Sequence, residues 1–146
     1  MGKREPRKIA EVFVVEDNPG DVRLLEEAFR ELQADIHLTV ARDGAEALEM
    51  VHCPTSGQRL RPDLILLDLN LPKVSGHDVL SSLKSNPLTS RIPVIVMTSS
   101  KAEMDVRRAY ELHVNAYLKK PSTLEGLFSA AEDITNFWLR TATLPS

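Results

Sequence analysis

Residues 63–72 read Asp-Leu-Ile-Leu-Leu-Asp-Leu-Asn-Leu-Pro. The apolar run from Leu64 to Leu67 is bounded by Pro62-Asp63 on one side and interrupted by Asp68 and then Pro72 on the other. A short run without polar alternation predicts a strand covered on both faces, as in a parallel sheet. Asp68 stands at its end. A carboxylate placed directly after four aliphatic residues is costly unless it meets a cation, a hydrogen-bond donor or a reacting group. The rest of the chain has to bring such a partner to Asp68.

Upstream, residues 9–15 are apolar and β-branched and predict a strand that ends in Glu16-Asp17. Asn18 is a good N-cap and Pro19 suits the first helical position. Val22, Leu25, Ala28, Phe29 and Leu32 then recur at helical spacing to about residue 33. Residues 36–41 alternate as a second strand, and a helix starting at Asp43 or Gly44 carries Ala47, Leu48 and Val51. Residues 54–62 read as a loop, longer than is usual between α/β elements.

Downstream, Pro72 and Gly76 mark a loop, and Val79, Leu80 and Leu83 mark a helix that stops at Asn86-Pro87. Residues 92–97 form another continuous apolar strand, followed at once by Thr98, Ser99 and Ser100. A helix over residues 101–112 has Met104, Val106, Ala109 and Tyr110 on a mixed face. Residues 115–119 are a short strand delivering Lys119, Lys120 and Pro121. The last helix starts at Ser122 or Thr123 and shows Leu124, Leu127, Phe128, Ala131, Ile134 and Trp138 at helical spacing.

Five strands alternating with five helices predict one α/β domain built on a parallel sheet. Ligands of such sheets bind at the carboxyl ends of the strands. Glu16-Asp17, Asp68, Thr98 and Lys120 each follow a different strand, so they are expected to gather at one edge. Three carboxylates gathered there repel one another, so the site is expected either to raise some of their pKa values or to recruit a divalent cation, the second being the preferred solution. Mg²⁺ suits oxygen ligands and commonly sits between carboxylates and a phosphate. Asp68 is then a candidate nucleophile toward phosphorus, with the Thr98 hydroxyl and the Lys120 ammonium suited to the phosphoryl oxygens.

Composition narrows the setting. The 146 residues fit one domain, expected over residues 9–140, with a flexible basic tail at 1–8 and a short C-terminal tail at 141–146. A formal net charge of −3 argues against nucleic acid as the main partner. No apolar stretch approaches the length of a membrane span, and the single cysteine, Cys53, cannot form an internal disulfide. These features point to a soluble cytoplasmic protein. Cys53 is expected to be a small packing side chain, and the four histidines, His37, His52, His77 and His113, show no ligand spacing.

The motifs Val-Val-Glu16-Asp17-Asn18, Leu-Leu-Asp68-Leu-Asn70-Leu-Pro72 with Gly76, Ile-Pro-Val-Ile-Val-Met-Thr98-Ser99 and Tyr117-Leu-Lys119-Lys120-Pro121 stand in one order along the chain. Together they strongly resemble the receiver domain of two-component response regulators, over residues 9 to about 138. The resemblance implies a flavodoxin-like, doubly wound five-stranded parallel sheet of order 2-1-3-4-5 flanked by five helices. It implies Asp68 as phospho-acceptor, with Mg²⁺ held by Glu16, Asp17, Asp68 and the backbone carbonyl of Asn70. Thr98 and Lys120 would contact the phosphoryl group, Thr98 and Tyr117 would form the switch pair, and the bond before Pro121 would commonly be cis. Glu16 departs from the commoner aspartate, which shifts it toward water-mediated contact with the metal. The long 54–62 loop, the Asn86-Pro87-Leu88-Thr89 connection and Trp138 resemble the stand-alone receivers that serve phytochrome-type sensor histidine kinases, especially in cyanobacteria.

The implied activity is a single-domain response regulator that accepts a phosphoryl group and signals by changing conformation, partner or dimer strength. It would catalyse nothing beyond its own phosphorylation and dephosphorylation. The rival reading is a small Mg²⁺-dependent phosphatase that also forms an aspartyl phosphate, but such enzymes want an acid two residues after the nucleophile, where this chain has Asn70. Phe137 and Trp138 are two large aromatics near the chain end, and at least one is expected in an interface. A symmetric homodimer through the last two helices and the last strand would accommodate them.

Overall fold

The computed structural model describes residues 9–52, 57–100 and 102–145. The expected basic tail at 1–8 and Cys53 lie outside the described residues. Strand and helix alternate as the periodicity predicts: β1 (Ala10–Val15), α1 (Pro19–Glu31), β2 (Ile36–Ala41), α2 (Gly44–His52), β3 (Leu64–Leu67), α3 (Gly76–Ser85), β4 (Val94–Thr98), α4 (Glu103–Glu111), β5 (Ala116–Lys119) and α5 (Leu124–Ile134). The strands form one parallel sheet in the order β2-β1-β3-β4-β5. This is the flavodoxin-like receiver fold.

Alternation along the central strands divides the core in two. Phe13 and Val15 of β1, Ile65 and Leu67 of β3, and Val94 and Val96 of β4 point to the side covered by α2, α3 and α4, where they meet Val51, Val79, Leu83 and Ala109. Val12, Val14, Leu64, Leu66, Ile95 and Met97 point to the other side and pack on Leu25, Phe29, Leu127, Ala131 and Ile134 of α1 and α5. All four residues of β3 are buried, which explains why its sequence shows no polar alternation. Burial of side chains the size of Phe29 or Leu25 stabilises the fold by about 1.5–3 kcal/mol each relative to exposure.

The helix ends follow local chemistry. Asn18 Oδ1 accepts from the N–H groups of Gly20 and Asp21, and Pro19 needs no acceptor. Ser75 Oγ caps α3 through Asp78 N–H, and Thr123 caps α5 through Gly126 N–H. The final helix differs from expectation in one respect. It is α-helical only to Ile134, and Thr135–Thr141 wind as a π-helix, closed by Ala142 N–H on Phe137 O at 2.7 Å and by Thr141 Oγ1 donating to Asn136 O. Within that segment Trp138 packs on the α1/α5 core, while Phe137 stays exposed and meets the indole edge to face, ring centres 5.2 Å apart.

Candidate functional site

The sheet places the predicted residues by continuing its ladder past the strand ends. Glu16 N–H donates to Ala41 O, Asp68 N–H to Val15 O and Lys120 N–H to Thr98 O. Glu16, Asp68, Thr98 and Lys120 therefore stand side by side at one edge, each on its own strand. Gly76 brings the start of α3 against that edge. Its N–H donates to Leu69 O, and a β-carbon on it would lie 2.3 Å from Leu69 Cα and 2.5 Å from Asp68 O.

Asp68 is 5 % exposed, and its carboxylate is fully engaged. Oδ1 accepts from the Thr98 hydroxyl at 2.9 Å and from Asn70 N–H at 2.9 Å; Oδ2 accepts from Lys120 Nζ at 2.9 Å. Burial alone would raise its pKa, yet hydrogen bonds from Glu16, Asn70 and Lys120 outweigh burial and hold it below the usual carboxylate value. Glu16 takes the opposite course. Burial in the first place, then the adjacent Asp68 carboxylate, push it from 4.5 to about 7, against the opposing pull of Lys120 and Asn18.

Lys120 Nζ reaches three carboxylates: Glu16 Oε2 at 2.8 Å, Asp21 Oδ2 at 2.9 Å and Asp68 Oδ2 at 2.9 Å. Burial works against its charge, but these three partners raise its pKa above that of an ordinary lysine. Asp21 was not legible as a site residue from the motifs. It lies in the first turn of α1, where an acidic side chain also suits the helix dipole, and only its geometry reveals the contact. Lys119, by contrast, is exposed at the end of β5.

Side-chain oxygens of Glu16, Asp17 and Asp68 lie within 4.8 Å of one another, with Asp17 facing solvent and the other two buried. Three hard oxygen donors at that spacing fit a small divalent cation. Among the described residues no histidine joins a comparable cluster. His77 is buried with Nε2 3.2 Å from Asp105 O, His52 meets Thr89 Oγ1 and His37 meets Glu11, which are packing and surface roles.

Thr98 is fully buried and linked on both sides, donating to Asp68 and accepting from the Asn70 side-chain amide at 3.3 Å; the same amide reaches Ser99 Oγ. Tyr117, two strand residues before Lys119, donates its hydroxyl to Ser100 O at 3.1 Å, and Ser100 Oγ in turn bonds Asp105 of α4. No cis peptide occurs among the described residues, so the Lys120–Pro121 bond is trans, contrary to the family habit. In this arrangement Lys120 N–H keeps its ladder bond and the Pro121 ring packs on Gly126, where a β-carbon would come within 2.7 Å of Pro121 Cβ.

Comparison with known proteins agrees with this geometry. The response regulator receiver domain matches residues 12–132. The chain is 45% identical over 136 residues to the response regulator Rcp1 of Synechocystis sp., covering 92% of each. The crystal structure of the Mn²⁺-bound form of Rcp1 superposes with a TM-score of 0.89 over 94% of this chain and 99% of that one, at 44% identity. The phosphorylated cyanobacterial phytochrome response regulator RcpA gives 0.87 over 95% of this chain and 100% of that one, again at 44% identity. The probable methanogenesis regulatory protein FilR2 of Methanothrix harundinacea is 42% identical over 128 residues, 88% of this chain and 83% of that protein. With the strand order, the edge cluster and these likenesses together, the chain belongs to the response regulator receiver domain family.

Proposed function

We propose that this chain is a response regulator phosphorylated on Asp68 by a sensor histidine kinase of the phytochrome type. The observation that carries the reading is the set of bonds at Asp68. A buried carboxylate with its pKa held down, met by a hydroxyl, a backbone N–H and an ammonium, is a nucleophile surrounded by the donors a phosphoryl group needs. Asp68 Oδ attacks phosphorus as the bond to the kinase imidazole nitrogen breaks, and the product is an acyl phosphate. Thr98 and Lys120 are within reach to take phosphoryl oxygens in place of the carboxylate oxygens they hold now. Glu16, Asp17, Asp68 and the Asn70 carbonyl would hold Mg²⁺, which supplies positive charge against the incoming oxygens. The likeness to the cyanobacterial phytochrome response regulator RcpA supports the choice of kinase.

On this reading residues 9–140 are the receiver unit, the protein works in the cytoplasm, and its only chemistry is the gain and loss of its own phosphoryl group. No helix among the described residues is long and apolar enough to cross a membrane. Turnover of external phosphate esters is disfavoured because the Asn70 amide, engaged with Thr98 and Ser99, cannot protonate a leaving group. A homodimer through α4, β5 and α5 is supported by Met104, Tyr110, Leu124 and Phe137, which are 82%, 51%, 54% and 54% exposed.

The test is phosphotransfer. A phytochrome-type kinase should label the wild type within minutes and leave Asp68→Asn unlabelled, while an unrelated kinase labels it far more slowly. Labelling that survives in Asp68→Asn would remove the central assignment. Sedimentation should show a dimer that Met104→Glu with Leu124→Glu converts to monomer.

A further inference from the structure

Lys120 has three N–H donors and all three are taken by carboxylates. The three partners are not alike. Glu16 and Asp68 belong, with Asp17, to the group of oxygens close enough to share a cation; Asp21 does not. When Asp68 carries a phosphoryl group and Glu16 serves a metal, two of the three acceptors are drawn away from Lys120. Asp21 alone keeps its place. Its backbone is fixed by the start of α1, where its N–H donates to Asn18 Oδ1 at 3.2 Å, one residue after the Pro19-Gly20 pair.

We propose that Asp21 is a positioning residue that anchors the Lys120 ammonium over the acceptor carboxylate throughout the phosphorylation cycle, leaving its other two donors for the phosphoryl oxygens. The inference rests on Asp68 being the acceptor. A lysine ammonium is a point charge on a flexible four-carbon stem, so its backbone bond to Thr98 O does not by itself fix where Nζ lies. One fixed carboxylate, outside the metal group and off the reacting oxygens, supplies that constraint. Asp21 stands outside the metal group and acts through its bond to Lys120.

The full chain is compared with Asp21→Ala and Asp21→Asn, the second of which keeps a neutral acceptor oxygen in the same place. With acetyl phosphate and Mg²⁺, Asp21→Ala is expected to slow labelling of Asp68 roughly five- to tenfold, a loss set by one partly exposed charge-assisted hydrogen bond, and Asp21→Asn to recover part of it. The Mg²⁺ dissociation constant should stay within about twofold in both variants, because Asp21 is no ligand. The ¹⁵N-detected ammonium signal of Lys120 should persist in the beryllofluoride complex of the wild type and of Asp21→Asn and broaden away in Asp21→Ala. Labelling by Asp21→Ala at or above the wild-type rate overturns the anchor and makes Asp21 a competitor of the phosphoryl group. A large fall in Mg²⁺ affinity overturns it in favour of a metal role. If the wild type is labelled at a residue other than Asp68, the acceptor reading fails and the anchor fails with it; if Asp68 is labelled and only the variants match the wild type, the anchor fails alone.

Discussion

The Thr98 hydroxyl donates to Asp68 Oδ1 at 2.9 Å. The acceptor and the residue that would report its modification are therefore already bonded, and a phosphoryl group has to replace that bond. On the proposed reading, replacement would draw Thr98 off Asp68 and away from the Asn70 amide, and the Tyr117 ring would follow by releasing Ser100 O. Thr98→Val keeps the shape and removes the hydroxyl. Because Asp68 Oδ1 retains Asn70 N–H, the expected stability loss is only about 1 kcal/mol by urea unfolding. The larger effect is on coupling. Beryllofluoride should still bind Thr98→Val, but the Tyr117 ring resonances should stay at their unliganded positions; ring shifts equal to those of the wild type would show that Tyr117 moves without Thr98.

Glu16 is expected to make Mg²⁺ binding pH-dependent. Its pKa rises from 4.5 to about 7 on folding, chiefly through burial and then through Asp68. Between those values the folded chain binds more protons than the unfolded one, so stability falls as pH rises, and above about pH 7 the whole penalty stands, on the order of 3 kcal/mol at most. Asp68, shifted the other way, contributes stability that is lost only as pH falls below the ordinary carboxylate range, so the two windows do not overlap. A cation held by Glu16, as proposed, would need it ionised, and Mg²⁺ affinity should accordingly rise roughly tenfold from about pH 6 to about pH 8. Calorimetric titration checks this, and Glu16→Gln should flatten the curve. An affinity independent of pH in the wild type would remove Glu16 from the metal's surroundings.

The parts of this molecule that were legible in the sequence are those written by burial and by strand ends. Leu64 to Leu67 read as a doubly covered strand because neither face is free to be polar, and Glu16, Asp68, Thr98 and Lys120 were found because a parallel sheet exposes its carboxyl ends at one edge. Asp21 was missed for a physical reason: an acidic residue in a first helical turn already has a sufficient cause in the helix dipole, and its contact with Lys120 spans 99 residues. The π-helical turns after Ile134 were missed because Trp138 keeps an apolar contact that suits a continuing α-helix equally well. The Lys120–Pro121 isomer was expected from family habit alone, with no residue to decide it.

Gly76 is a steric requirement. The atoms a β-carbon would strike, Leu69 Cα at 2.3 Å and Asp68 O at 2.5 Å, are backbone, so no rotamer change relieves them. In Gly76→Ala the start of α3 must withdraw from the end of β3, and Leu69-Asn70 must shift with it. The expected cost is about 1–3 kcal/mol or somewhat more. Phosphorylation should slow as well, since Asn70 N–H holds Asp68 Oδ1. Unfolding midpoints and acetyl phosphate labelling measure the two effects, and a neutral Gly76→Ala would mean that α3 is free to slide.

Lys84 holds the far side of the sheet and should be silent in signalling. From α3 its Nζ donates to Ile92 O and Asn115 Oδ1 at 2.9 Å each and to Ser90 O at 3.4 Å, while Asn115 Oδ1 also accepts Val94 N–H at 2.8 Å. Burial lowers its pKa. Lys84→Met keeps the stem and leaves the Ile92 carbonyl without this donor, and a group so deprived costs about 1–3 kcal/mol. The bonds lie at the entrances to β4 and β5, at the opposite ends of those strands from Thr98 and Lys120. Lys84→Met should therefore unfold at lower urea with its rate of Asp68 labelling unchanged; a stable variant with altered labelling would place Lys84 in the signalling path.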